Sequence, residues 1–244
     1  MFRNLRVLPL PRVQWRRAST FVKYLPLHRG GDEIATLNAL DHENIVSPIE
    51  SKIEKNCCRL IFPRAQMDLY DFVKREKYIS EQLVFKIVKD VSGGIAHLHS
   101  RGYCHNDIKL ENILMFKGDH DAWSAKLSDF GMAYKCNNPP QYFSGKTPGT
   151  LAYFSPERAY DLQPIDHQAA DMWALGVVMH LMIYRCFPNG HSTALPILST
   201  DFDSKDNPTV SNVVLSNLLV INPQKRWSAQ KVFDFIPEWV FKKI

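Results

Sequence analysis

Eight consecutive residues, His105-Asn106-Asp107-Ile108-Lys109-Leu110-Glu111-Asn112, constrain this chain more than any other stretch. An acid is followed two residues later by a lysine and three further on by an asparagine, so D-x-K-x-x-N puts three chemically distinct groups on one loop. Moving a phosphoryl group to a hydroxyl calls for such a set: a base that orients the nucleophile, a cation against the transferred charge, and an oxygen ligand for a divalent metal. Asp129-Phe130-Gly131, seventeen residues after Asn112, adds a second carboxylate on a tight turn. Any fold this chain adopts must bring these two stretches together.

The two stretches resemble the catalytic loop, H-R-D-x-K-x-x-N, and the metal loop, D-F-G, of the eukaryotic protein kinase family. The resemblance extends along the chain. Gly149-Thr150-Leu151-Ala152-Tyr153-Phe154-Ser155-Pro156-Glu157 is similar to G-T-x-x-Y-x-A-P-E, with Ser155 in the alanine place. Asp171-Met172-Trp173-Ala174-Leu175-Gly176 matches the D-x-W-x-x-G that opens the family's central buried helix, and Arg226 matches the arginine that pairs with the P-E glutamate, here Glu157. The resemblance implies an α+β, bilobal fold. A small, truncated β-rich N-lobe over residues 1–66 and a larger, mainly helical C-lobe over 67–244 would form a single protein kinase domain.

Composition is compatible with that architecture. The 244 residues can bury a sizeable core, and 45% apolar with 23% charged residues is ordinary for a globular chain. Five cysteines, odd in number and without metal-site spacing, fit reduced thiols of the cytosol or nucleus. The most apolar run, Ala174 to Tyr184, contains His180 and is too short to span a bilayer, so it reads as a buried helix and no membrane partner is expected. The net charge of +5 is uneven, because Arg3, Arg6, Arg12, Arg16, Arg17, Lys23 and Arg29 all precede the first acid, Asp32. A solvated or strand-forming segment is the preferred reading of that basic front end. Nucleic-acid binding would rest on these cations alone.

Thr20-Phe21-Val22-Lys23-Tyr24-Leu25 alternates and is rich in β-formers, which predicts a strand presenting Lys23 on one face. Residues Glu33 to Val46 are similar to the family's E-x-x-x-L-x-x-L-x-H-x-N-I-V, which nominates Glu33 as the helix partner of Lys23. In the family such a pair holds the lysine against the ATP phosphates. Only ten residues separate the two, so the helix is expected to start abruptly after Gly30-Gly31. No glycine precedes Gly30, so the phosphate-covering G-x-G-x-x-G of the family is absent ahead of Lys23; either the first strands are rebuilt or the natural start lies upstream of Met1. Phe21 stands where the family has a small residue over the adenine, and a phenyl ring there is expected to take up ligand volume. Cys58 to Pro63 reads as the last strand of this lobe. Asp68 is either a ribose-contacting acid or a helix N-cap, with the cap slightly ahead.

Ser80-Glu81 opens a long helix whose apolar positions, Leu83, Val84, Ile87, Val88, Val91, Ile95 and Leu98, repeat near 3.6. The resemblance implies Asp107 as catalytic base, Lys109 as the cation on the transferred phosphoryl group, Asn112 and Asp129 as Mg²⁺ ligands, and Leu114 as the floor under the adenine of ATP. For Leu114, an ordinary core strand residue is equally compatible. His105 is expected to pack rather than transfer protons, and Asp171 and Trp173 to organise the lobe. Lys109 together with Thr150 looks like the serine/threonine-specific branch. Asn106 replaces the arginine that in many members grips a phosphate on the activation segment, so phosphorylation at Tyr142, Ser144 or Thr147 is not expected to be required.

Two readings follow. The first is a serine/threonine protein kinase of reduced size using ATP and Mg²⁺ on protein hydroxyls, with a regulatory protein partner completing the short N-lobe. The second is a pseudokinase-like scaffold or binding module with weak or no ATP binding. The short lobe and H-N-D-I-K-L-E-N are also similar to the small protein kinases of baculovirus-type insect DNA viruses.

Overall fold

The computed structural model describes residues 19–118, 122–137, 149–188 and 209–236. The basic arginines before Ser19, and Tyr142, Ser144 and Thr147, lie outside the described residues. The predicted first strand is β1, Thr20–Pro26, and it runs without a loop into helix α1, Leu27–Asn38. Strands β2 (Glu50–Ile53) and β3 (Cys57–Pro63) complete a three-stranded antiparallel sheet in the order β1-β3-β2, with Lys23 opposite Leu60. Helix α1 packs on this sheet through Ile34, against Cys58 and Leu60, to make a small apolar cluster.

The expectation that α1 begins after Gly30-Gly31 is corrected: both glycines lie inside the helix. A Cβ on Gly30 would sit 2.5 Å from the Cβ of Cys58, so only glycine lets the helix backbone lie against β3. Close packing, rather than termination, explains that residue. Gly31 faces open space and has no such reason.

The chain leaves the sheet through Arg64, whose N–H donates to Ser19 O, and Gln66, whose N–H donates to Met115 O. Strand β4, Met67–Asp68, leads into α2, Leu69–Arg75, where the Asp68 carboxylate accepts the Asp71 N–H, so Asp68 is the N-cap. Helix α3, Glu81–Ser100, starts as predicted with Ser80 Oγ accepting from Leu83 N–H, and its inward stripe of Val88, Val91, Ile95 and Leu98 is fully buried. Strand β5 (Tyr103–Cys104) then delivers the chain to the catalytic loop, β6 (Ile113–Lys117) and β7 (Trp123–Leu127) pair antiparallel behind it, and β8 (Tyr134–Lys135) returns beside β5.

After the short α4 (Pro156–Ala159), helix α5, His167–Tyr184, is buried continuously from Ala170 to Met182 and forms the axis of the large core. Helices α6 (Val210–Leu218) and α7 (Ala229–Phe235) close that core. A Cβ on Gly176 of α5 would lie 2.9 Å from Leu218 Cβ, so this glycine sets how near α6 can come.

One ion pair ties these late helices to the middle of the chain. Arg226 Nη1 donates to Glu157 Oε1 at 2.7 Å and Nη2 to Oε2 at 3.2 Å, while the same guanidinium donates to the carbonyls of Ala169 and Val220. Glu157 and Arg226 are both buried, and the guanidinium lies over the Trp173 ring, 5.3 Å from its centre. Removing one partner strands a buried charge, which costs about 3–5 kcal/mol, whereas replacing both with apolar or neutral isosteres is far milder. Arg226→Met alone is therefore expected to lower unfolding stability by that amount in urea titrations. Glu157→Gln/Arg226→Met together should lose less than the single change; additive losses would contradict the coupling.

Candidate active site

The catalytic loop is built on a buried carboxylate. Asp171, near the start of α5, accepts the His105 N–H on Oδ2 and the Asn106 N–H on Oδ1, each at 2.8 Å, and its Oδ2 lies 3.0 Å from His99 Nε2. Burial pushes this carboxyl up, but the His99 hydrogen bond and charge, with His105, hold it below the ordinary range. His105 packs edge-on against Phe130, ring centres 5.0 Å apart, and its Nε2 lies 3.0 Å from Ser128 O. Its predicted supporting place is where the structure puts it.

Asn106 has φ +67, a left-handed conformation that asparagine tolerates better than most residues. Its amide nitrogen donates to Met132 O at 3.1 Å, and its Oδ1 faces His167 Nδ1 at 3.0 Å. Neutral hydrogen bonds thus link the loop to the stretch after Asp129. A cation does approach this place, but from a residue that sequence reasoning did not single out: buried Arg158, whose guanidinium donates to Asn106 O at 3.1 Å and lies over Phe154, 4.3 Å from its centre. The only sequence signal for it was its place directly after Pro156-Glu157. Gly149, at φ +109, passes so close that a Cβ there would collide with Asn106 O.

Asp107, Lys109 and Thr150 form a closed triangle. Thr150 Oγ1 donates to Asp107 Oδ1 at 2.8 Å, Lys109 Nζ donates to Thr150 Oγ1 at 3.0 Å, and Lys109 Nζ lies 2.9 Å from Asp107 Oδ2. Asn112 Nδ2 donates to both Asp107 O and Oδ2, at 2.8 and 3.0 Å. With its nitrogen so committed, the amide leaves its oxygen free to face a cation. Ser128 N–H and Oγ both donate to Asn112 O, which ties this residue to the neighbour of Asp129.

The second group forms around Lys23. Its Nζ is 2.8 Å from Glu33 Oε1 and 2.8 Å from Asp129 Oδ1, so strand β1, helix α1 and the Asp129 turn converge on one ammonium. Burial works against the Lys23 charge, yet Glu33 and Asp129 raise its pKa above the usual lysine value. Glu33, buried deeper, is pushed up by desolvation despite Lys23. Asp129 sits at φ +57 and accepts the Gly131 N–H; burial alone would raise its carboxyl, but the charge and hydrogen bond of Lys23 bring it below the ordinary range.

A cavity of about 580 Å³ joins the groups, lined by Lys23, Glu33, Asn112, Leu114 and Asp129 and walled by Phe62 and Met67. That volume is within the range of small-molecule sites. Five of the seven predicted site residues thus line one cleft, and Asp107 joins them through Asn112, with Lys109 bound in turn to Asp107. Phe21 lines the cavity but is 58% exposed, and the volume stays open beside its ring. Leu114, on β6 opposite Asp68, is half-buried and faces the cavity. Asn112 and Asp129 supply oxygen atoms suited to a hard divalent cation. Among the described residues no cluster of three or more His, Cys, Asp or Glu could hold a metal, so a cation here would need further oxygens from its ligand or water.

The depressed pKa of Asp171 fixes a sign. A carboxyl whose folded pKa lies below its unfolded value adds stability that is fully present above about pH 4 and is lost as pH falls through the folded value. Asp171→Asn is expected to flatten the acid side of the stability curve, followed by circular dichroism from pH 7 to pH 3. An acid limb equally steep in the variant would overturn this assignment.

Comparison with known proteins gives the same picture. The protein kinase domain model matches residues 22–235. A probable myosin light chain kinase of Dictyostelium discoideum is 27% identical over 82% of this chain and 52% of its own length. The NUAK family SNF1-like kinase 1 of Mus musculus is 27% identical over 82% of this chain and 30% of its own. The serine/threonine-protein kinase SRK2A of Physcomitrium patens is 28% identical over 99% of this chain and 72% of its own. The chain therefore spans only about a third to a half of the first two relatives. With the matched span covering most of its length and the cleft assembled as described, the chain belongs to the protein kinase domain family.

Proposed function

We propose that the chain is a serine/threonine protein kinase, transferring the ATP γ-phosphate to protein hydroxyls with Mg²⁺, as one domain with a reduced N-lobe over residues 1–66 and a helical C-lobe over 67–244. The observation that carries the reading is the Lys23 ammonium, 2.8 Å from both Glu33 and Asp129, which draws strand, helix and metal loop into one cleft. Bound MgATP would supply the activated phosphoryl group. Lys23 orients its phosphates, Asn112 and Asp129 offer oxygen ligands, and Leu114 underlies the base. Asp107 orients the acceptor hydroxyl and takes its proton, while Lys109 counters charge on the transferring group. The Asp107–Lys109–Thr150 triangle supports the serine/threonine assignment, since Thr150 fixes both the carboxylate and the ammonium.

A scaffold reading keeps some support. Among the described residues strand β1 is an edge of its sheet, with Phe21 and Tyr24 58% and 62% exposed, a surface that a regulatory partner could cover. The further likeness to the small kinases of baculovirus-type viruses rests on this short front end and on the loop sequence. Location in the cytosol or nucleus rests on the free thiols of the five cysteines.

Thermal shift and calorimetry with ATP separate the two readings. A ligand bound at a hundred times its dissociation constant stabilises the folded state by about 2.7 kcal/mol. A Mg²⁺-dependent rise in melting temperature that is lost in Asp129→Asn is expected, together with a ~10²- to 10⁴-fold fall in phosphotransfer for Asp107→Asn. A well-folded protein that shows no shift at millimolar ATP would favour the scaffold. Because the Asn106 side chain carries no charge with which to grip a phosphate, phosphatase treatment is expected to leave activity unchanged; a strictly phosphate-dependent enzyme would contradict that.

A further inference from the structure

A second cavity, of about 660 Å³, opens on the C-lobe side of the catalytic loop, between the end of α2 and the end of α5. Its floor is Leu110 and Leu181, both buried, and Val73 and Phe187 form its sides. Its rim is cationic: Lys74, Lys77 and Arg185 face a single acid, Glu76. The Arg185 guanidinium is fixed in place, donating to the backbone carbonyls of Val73 and Glu76 at the close of α2. Lys74 and Lys77 are exposed and make no ion pair among the described residues.

The cavity is tied to the reacting end of the cleft at two points. Leu110 directly follows Lys109 in the chain. Phe187 packs edge-on against Tyr153, ring centres 5.6 Å apart, in the same turn that Thr150 opens. A polypeptide whose hydroxyl is held at Asp107 would pass this groove within a few residues, since an extended chain advances about 3.3–3.6 Å per residue.

We infer that this groove selects protein substrates carrying an apolar side chain flanked by aspartate or glutamate close to the acceptor hydroxyl, the apolar group resting on Leu110 and Leu181 and the acids facing Lys74 and Lys77. The inference rests on the kinase reading and names its substrate class. Charge complementarity decides the occupant. Lys74 and Lys77, unpaired among the described residues, repel a basic segment together with the fixed Arg185, and the apolar floor disfavours a uniformly charged one. Exposed pairs contribute modestly each, so the preference is electrostatic, additive and weakened by salt.

The test is a positional array of serine and threonine peptides, varying acidic, basic and apolar flanks, with the intact chain and its Lys74→Glu/Lys77→Glu variant. Acid-flanked peptides are expected to be phosphorylated with kcat/KM about five- to tenfold above basic-flanked ones, an order set by two exposed ion pairs. In the variant the order should invert, while activity on a neutral peptide is unchanged. The same peptides with alanine in place of the acceptor, followed by fluorescence anisotropy, read the groove without phosphotransfer. Binding there that favours acidic flanks and is lost in the variant supports the groove even where no peptide is phosphorylated, an outcome that would instead remove the kinase reading. Phosphorylation without a flank preference, or a preference that survives both lysine reversals, overturns the inference.

Discussion

A single carboxylate, Asp171, holds the loop that carries Asp107, Lys109 and Asn112. It rises from the helix that forms the axis of the large core and receives two successive backbone N–H groups, from His105 and Asn106. Such an arrangement costs desolvation, which these two bonds and His99 offset, and in exchange the loop inherits the rigidity of α5. Everything downstream is placed relative to it. Asp107 follows at once, its carboxylate clasped by Asn112, Lys109 and Thr150. His105 then passes the same alignment on to Phe130 and Ser128, next to Asp129.

The other face of the cleft depends on a softer device. Lys23 bridges Glu33 and Asp129 while partly open to solvent, and these ion pairs lie beside apolar packing in which Leu37, Leu40 and Ile45 share one core with Phe130. Ion pairs of this kind are modest in energy and responsive to ligands. A phosphate-bearing ligand would compete for the ammonium now shared by two carboxylates. Contact between α1 and the Asp129 turn is therefore partly electrostatic, through Lys23, and partly packing of α1 against Phe130–Met132, whereas the Glu157–Arg226 pair is buried with every guanidinium nitrogen bonded.

Much of this was legible in the sequence because the motifs carry their own local geometry. D-x-K-x-x-N places three side chains on one turn, and the apolar stripe of α3 announces its period in Val84, Val88, Val91, Ile95 and Leu98. Gly30 was misread, because a glycine reads as a breaker in sequence, whereas here its lack of a Cβ lets α1 touch Cys58 of β3, a contact that leaves no local pattern. Arg158 and Arg185 were missed for a related reason. Each is a cation whose partner is a backbone carbonyl from a distant segment, Asn106 in one case, Val73 and Glu76 in the other, and carbonyls leave no mark on residue type.

At Asn106 the loop carries a neutral side chain, and a cation reaches it from elsewhere in the chain. An arginine there would project a charge toward the activation segment; asparagine turns inward at positive φ and stitches the loop to Met132. The positive charge beside the loop is supplied instead by Arg158, which spends its hydrogen bond on Asn106 O and its face on Phe154. Gly149 can pass between them only because it lacks a side chain. Around Gly149 and Thr150 the described contacts are close backbone packing, the Arg158 cation on Asn106 O, and the hydrogen bonds that join Thr150 to Asp107 and Lys109.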